Sequence, residues 1–171
     1  MRNVERRGSK VERHQQHVLT FNNRQRAKRI NIPLLRRITL FVLREQLGMS
    51  KHELGFHLVD GNEMARVNEQ FLRHTGSTDV ITFDHAEEPQ KNAPVLHGEV
   101  FISISDAMVQ AKKFGTTWQS ELIRYVIHGL LHLRGFDDLE PKLRREMKRE
   151  ENRLVRMLEG KFPLRQLARS A

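Results

Sequence analysis

WQSELIRYVIHGLLHLRGF, residues 118–136, with the two aspartates at 137–138, is the stretch on which the fold turns. Leu122, Val126, Ile127, Leu130, Leu131 and Leu133 spread apolar side chains around most of a helical circumference. A helix apolar nearly all round has to be covered on several sides, so this one is expected at the centre of the molecule. Thr116 or Thr117 can cap its start, because a hydroxyl there accepts an orphan backbone N–H. Gly135 stands where it would end, because glycine enters the left-handed region without a Cβ penalty. Two histidines interrupt the apolar surface. His128 and His132 are four apart, one turn plus about 40°, so both imidazoles leave one face. After Gly135 the chain can double back and carry Asp137 or Asp138 towards them. Two imidazoles and a carboxylate, with one position open, form the ligand set of a catalytic metal.

Outward from this helix, the chain reads as strands first and helices later. VLTFNNR (18–24) is expected as a strand, and IPLLRRITLFVLREQLG (32–48) as a helix with Pro33 near its start and Gly48 at its end. HELGFHLVD (52–60) alternates Leu54, Phe56 and Leu58 with polar neighbours, which predicts a half-exposed strand. GNEMARVNEQFL (61–72) reads as a short helix, TDVITFDH (78–85) as a strand, EEPQKNAP (87–94) as a loop and HGEVFISI (97–104) as a fourth strand. SDAMVQAKKFG (105–115) is a helix ending on Gly115. LEPKLRREMKREENRLVRMLEG (139–160) is an amphipathic one, through Leu143, Met147, Leu154, Met157 and Leu158. This order implies a single-domain α+β fold. A mixed four-stranded sheet would pack with about five helices, the metal site lying at the C-terminal end of the buried central helix.

The net charge of +9 is unevenly placed. Residues 1–30 carry +7, residues 31–140 carry −4 and residues 141–171 carry +6. The apolar residues fall between about 30 and 158, so the folded domain is expected over 18–158, with basic tails at 1–17 and 159–171. Solvated ends explain such charge; so does a polyanionic partner, each neutralised phosphate adding salt-dependent affinity. There is no cysteine, which excludes disulfides and thiolate zinc sites. ITLFVL (38–43), one of the longest apolar runs, is far too short to span a bilayer. The N-terminal MRNVERRGSKVERH has no apolar stretch of the secretory kind. A cytoplasmic location and no membrane partner are expected.

Three readings compete for the histidine pair. A core helix can carry histidines with no ligand at all, and Asp138 could cap the last helix with Pro141 in its first turn. The frame H-x-x-x-H-x-x-G-x-x-D also matches certain zinc proteases, whose water-activating glutamate follows the first histidine. Here that position is Gly129, so peptide hydrolysis ranks below other hydrolysis. A helical glycine costs about 1 kcal/mol relative to alanine. Open space for a bulky substrate beside the metal is the reason expected for it.

The stretch resembles the signature of the YbeY family of endoribonucleases and ribosomal RNA maturation factors, H-G-x-L-H-L-x-G-[YF]-D-H. His128, Gly129, Leu131, His132, Leu133, Gly135, Phe136 and Asp137 fit it. VNEQFL (67–72), STDVITFD (77–84), GEVFISI (98–104) and DAMVQAKKFGTTWQSELIRYVIHG (106–129) resemble further segments of that family, so the likeness runs from 18 to about 158. Two positions depart from it. Asp138 stands where the third histidine ligand is usual. Leu72 stands where an arginine is frequent, with Arg73 one residue later.

The resemblance implies one zinc ion held by His128, His132 and Asp138, single-stranded RNA as substrate, and a role in ribosomal RNA processing. That role includes 3′-end maturation of the small-subunit RNA and ribosome quality control, with the small subunit or its proteins as partner. A metal site of this kind acidifies a bound water from a pKa of about 15.7 to near 7. Attack by that water and attack by the ribose 2′-OH both remain open. Arg73 and Arg124 are candidates to stabilise charge on the phosphate, and His97 and Glu99 are placed either near the site or as ordinary strand positions. Aspartate as third ligand makes manganese or another hard cation more acceptable than a third imidazole would. A different class of function, a non-catalytic ribosome assembly factor with a structural metal, also fits these two departures.

Overall fold

The computed structural model describes residues 17–86 and 95–169. The expected N-terminal tail, but for residue 17, and the 87–94 loop lie outside the described residues. Four strands, β1 (His17–Asn23), β2 (His52–Val59), β3 (Val80–Asp84) and β4 (Leu96–Ser103), form one sheet in the order β1-β2-β4-β3. β1 runs parallel to β2 and β2 parallel to β4, while β3 pairs antiparallel at the edge, so the sheet is mixed as expected. Five helices accompany it: α1 (Ile32–Phe41), α2 (Gly61–Val67), α3 (Ile104–Phe114), α4 (Trp118–Leu133) and α5 (Pro141–Lys161).

Period-two alternation sorts the sheet into two faces. Leu54, Phe56 and Leu58 of β2, with Leu96, Val100 and Ile102 of β4, enter the main core against α4. Leu122, Ile123, Ile127, Leu130 and Leu131 of α4 are 0% exposed, which makes it the central helix that its composition demands. Thr117 supplies its cap: the hydroxyl accepts the Ser120 N–H at 3.2 Å. On the other face, Val59, Met64, Val67 and Ile81 form a smaller cluster beneath α2. That cluster changes one expectation. β2 is not half-exposed over its last turns, because α2 covers Val59 while the ring of Phe101 stacks on His57 at 4.4 Å.

α1 continues as a π-helical stretch, Val42–Gln46, and α2 as another, Asn68–Leu72, which together fill the two longer helices read from the sequence. The second ends at Arg73, whose φ of 56° is left-handed. A second correction concerns the C-terminus. Residues 159–169 are not a free basic tail: α5 runs to Lys161, and a 3-10 turn (Leu164–Leu167) buries Leu164 and Leu167 in the main core. Ala168 then bridges Ile30, and the Arg169 N–H donates to the Arg29 carbonyl at 2.9 Å. Two leucines three apart after a proline were enough to anchor a segment whose composition is otherwise basic. No helix among the described residues is long and apolar enough to cross a membrane.

Candidate metal centre

The last turn of α4 presents His128 and His132 on one side, and both are half-buried. Each ring is fixed through its Nδ1. His128 Nδ1 lies 3.0 Å from Glu151 Oε2, and His132 Nδ1 lies 3.1 Å from the Phe136 carbonyl oxygen. Both partners only accept, so both Nδ1 atoms carry the proton in the neutral rings. The two Nε2 atoms are then left with lone pairs, and they face each other at 3.1 Å. Two acceptors so close repel unless a proton or a cation stands between them. Asp138 Oδ2 completes the group at 4.0 Å from His128 Nε2 and 3.8 Å from His132 Nε2. A tetrahedron with metal–ligand bonds of about 2 Å has edges of about 3.3 Å, so the two nitrogens already stand at that spacing and the carboxylate lies about 0.5–0.7 Å further out. The donor set therefore fits a divalent cation with a vacant corner. Among the described residues, His128, His132 and Asp138 are the one His/Cys/Asp/Glu trio whose donor atoms all lie within 4.8 Å of one another.

The turn after α4 selects between the two aspartates. Gly135 adopts φ 96°, where any side chain is strained, and reverses the chain. Asp137 Oδ1 then accepts the N–H groups of Asp138 and Leu139 at 2.7 and 3.0 Å, an Asx turn that occupies its carboxylate. Asp138 is left to face the histidines. It does not cap α5, whose N-cap is Glu140 without a side-chain hydrogen bond.

Gly129 faces away from this group. A Cβ built on it would come within 2.6 Å of Val100 Cγ1 and 2.9 Å of Cγ2. The expectation that it clears space for substrate is therefore corrected: the missing side chain lets α4 approach β4. A glutamate there would meet the sheet rather than the metal, which also removes the protease reading.

Burial and charge tune the site. His132 is held below the usual histidine range, first by burial and then by the neighbouring His128. This keeps its lone pair available for a cation. Glu151, 3% exposed, is fastened by His128 Nδ1, by Arg124 Nη1 at 2.7 Å and by Lys148 Nζ at 2.9 Å. Burial alone would raise its pKa; the three hydrogen bonds outweigh burial and hold it at about 2. A carboxylate that orients a ligating imidazole from behind raises that ligand's basicity. Sequence reading missed Glu151, although a signal existed: an acid on the same helical face as Met147, Leu154, Val155 and Leu158.

Arg124 does stand beside the site, but its guanidinium is engaged by Glu151 and by Asn152 Oδ1, both at 2.7 Å. Leu72 lines a cavity shared with both histidines, whereas Arg73, one residue on, is exposed and absent from that wall. His97 and Glu99 are strand residues on the sheet face remote from α4. Glu99 pairs there with His57 at 3.0 Å and His85 at 3.3 Å. His128 borders two cavities. One of about 210 Å³ is lined by Asp79, Tyr125, Asp138, Arg144 and Lys148. The other, of about 470 Å³, is lined by Leu72, Val80, Thr82, Phe136 and Asp137. The metal group thus lies between two openings.

Residues 15–159 match the family model described as Endoribonuclease YbeY. A Chlorobium phaeovibrioides protein named Endoribonuclease YbeY is 37% identical over 98 residues, which are 57% of this chain and 63% of that one. An Elusimicrobium minutum protein of the same name is 38% identical over 106 residues, covering 61% and 73%. One from Parabacteroides distasonis is 34% identical over 114 residues, covering 67% and 77%. The solution structure of a Thermotoga maritima protein superposes with a TM-score of 0.61 at 25% identity, covering 84% of this chain and 91% of that one. The chain belongs to the YbeY endoribonuclease family, hydrolases that act on RNA.

Proposed function

We propose that this YbeY-family chain cleaves single-stranded RNA at a metal centre formed by His128, His132 and Asp138. The observation that carries the reading is the pair of Nε2 atoms facing each other at 3.1 Å beside Asp138, between two cavities. Zinc suits two imidazoles and one carboxylate, and manganese is the alternative that an aspartate makes more acceptable. When bound, the cation would supply Lewis acidity and an acidified water at the corner the protein leaves open.

The chain's own residues do the rest. Glu151 and the Phe136 carbonyl hold both rings in the tautomer that frees Nε2. The two cavities would accommodate the nucleotides on either side of the scissile phosphate, and Arg144 and Lys148 on the smaller one place positive charge where that phosphate must pass. Arg124 acts through Glu151, and Arg73 would need to move to reach substrate. Openings on both sides favour a catalytic site over a structural metal, which is normally closed by four protein ligands. Ribosomal RNA is the substrate inferred from the family. That inference extends to 3′-end maturation of the small-subunit RNA, to ribosome quality control, to contact with the small subunit and to action in the cytoplasm.

Cleavage of end-labelled single-stranded and duplex RNA by zinc-loaded and manganese-loaded chain tests this, with Asp138→Ala as control. Cleavage confined to single strands and lost in Asp138→Ala is expected. A 2′,3′-cyclic phosphate on the product would identify the ribose 2′-OH as nucleophile. Equal cleavage by the Asp138→Ala chain, or none by the metal-loaded wild type, sinks the proposal.

A further inference from the structure

α5 carries a second feature that the metal centre does not use. Lys142, Arg145, Arg149, Arg153 and Arg156 are all exposed. At about 100° per residue their spacings of three, four, four and three keep them within an arc of about 80°. The opposite side of the helix, Met147, Glu151, Leu154, Val155 and Leu158, is buried. Only Arg153 of the five has a carboxylate partner, Glu150 at 2.6 Å; Lys142, Arg145 and Arg156 have none among the described residues. From Lys142 to Arg156 the row is about 21 Å long, which along one stacked strand faces about six phosphates.

The row shares its helix with the site. Lys148 and Arg144, about 60° and 100° round the helix from the edge of the row, line the smaller cavity at the metal centre, and Arg144 Nε also donates to the Asp138 carbonyl at 3.0 Å. A polyanion turning from the outer row towards His128 meets Lys148 and Arg144 on a wall where Asp79, Asp138 and Glu151 balance the bases. A membrane is the poorer occupant. Interfacial helices bind by inserting an exposed apolar face, whereas Leu154 and Leu158 of α5 are 0% exposed and belong to the core.

We propose that the solvent face of α5 is an RNA-docking surface, which holds the phosphate backbone of substrate flanking the cleavage point and feeds it into the metal centre. This rests on the reading that RNA is the substrate, but binding along α5 does not require that the centre cleave. The contact reads charge and spacing, not bases, so it adds affinity without sequence preference.

The test is fluorescence anisotropy of a labelled 20-nucleotide uridine RNA titrated with the full chain in chelator, from 50 to 300 mM salt. Three proteins are compared: wild type, R145Q/R149Q/R156Q, and a control with the same charge change at exposed sites elsewhere, R26Q/K51Q/K112Q. Loss of three single-strand phosphate contacts should lower the slope of log affinity against log salt by about 2, and weaken binding about tenfold or more at 150 mM salt. The control should move less than threefold. Circular dichroism and bound-metal stoichiometry should be unchanged in both. Equal losses in the two triple variants would reduce the effect to net charge and overturn the proposal. So would unchanged RNA binding in the α5 variant, or α5-dependent binding to vesicles of 30% phosphatidylserine with none to RNA. Cleavage of a trinucleotide, too short to reach the row, is read in parallel with metal-loaded protein. Wild-type binding without any cleavage would sink the nuclease reading alone, while cleavage with α5-independent binding would sink the docking surface alone.

Discussion

Replacing Glu151 by glutamine removes one charge from behind His128 and changes almost no volume. The wild-type carboxylate is buried and held at a pKa of about 2 against an ordinary 4.5. That shift corresponds to about 3 kcal/mol of native-state stability at pH 7. The sign follows from the direction. A depressed carboxylate stabilises the fold above its unfolded pKa and loses that contribution as pH falls through the folded value. Of the roughly 3 kcal/mol at neutral pH, about 1 should remain at pH 3. Glu151→Gln has no such titration, so its deficit relative to wild type should be largest at neutral pH and shrink through the window between about 4.5 and 2. For a domain of this size the neutral-pH loss lowers Tm by roughly 6–12 °C. Glutamine can still accept the His128 Nδ1 proton, so the tautomer survives while the imidazole becomes less basic. Metal affinity should fall about 10- to 100-fold. Urea denaturation of chelator-treated protein at pH 7 and pH 3 measures the first effect, and competition with a zinc indicator at pH 7 the second. A stability deficit equal at both pH values would refute the electrostatic account of Glu151. Unchanged zinc affinity would refute its coupling to the site.

His132→Ala should abolish stoichiometric metal by mass spectrometry while circular dichroism stays near wild type, because the ring is only half-buried and α4 is held by its leucines. Asp138→His replaces an anionic donor with a neutral one; its activity profile should lie at lower pH than that of wild type, and coincident profiles under chemistry-limited conditions would contradict this. Gly129→Ala should lose about 1–3 kcal/mol through the collision with Val100 and regain about 1 kcal/mol of helix propensity, a net loss of up to about 2 kcal/mol by denaturation. In a Val100→Ala background Gly129→Ala should cost less than in wild type, and an equal cost in both backgrounds would mean that the contact is not the cause.

The central helix could be read in advance because its own residues declare it: apolar at nearly every position, a threonine before it and a glycine after it. The histidine pair was equally legible, since one helical turn is a local rule. What failed to show was whatever depends on partners distant in the chain. Val100 gives Gly129 its meaning, and neither residue hints at the other in sequence. Strand order is hidden for the same reason, as nothing in β4 says that it inserts between β2 and β3. The choice between Asp137 and Asp138 was local but finer than spacing can resolve, because it is made by which carboxylate the turn's own N–H groups claim. Glu151 lay within reach of the sequence. An acid on a core-facing helical position needs partners, and here they are Arg124, Lys148 and His128.

Charge around the proposed centre extends beyond its three candidate ligands. With Asp138 as third ligand, a divalent cation would leave the proposed site with one net positive charge, where three neutral imidazoles would leave two. On α5 itself Arg144 and Lys148 exceed Glu151 by one charge, and the cavity wall as a whole is balanced, Arg124, Arg144 and Lys148 standing against Asp79, Asp138 and Glu151. Arg144, Lys148 and Glu151 all sit on one helix, so the bases that would draw a phosphate towards the proposed centre and the carboxylate that holds His128 come from the same element, α5.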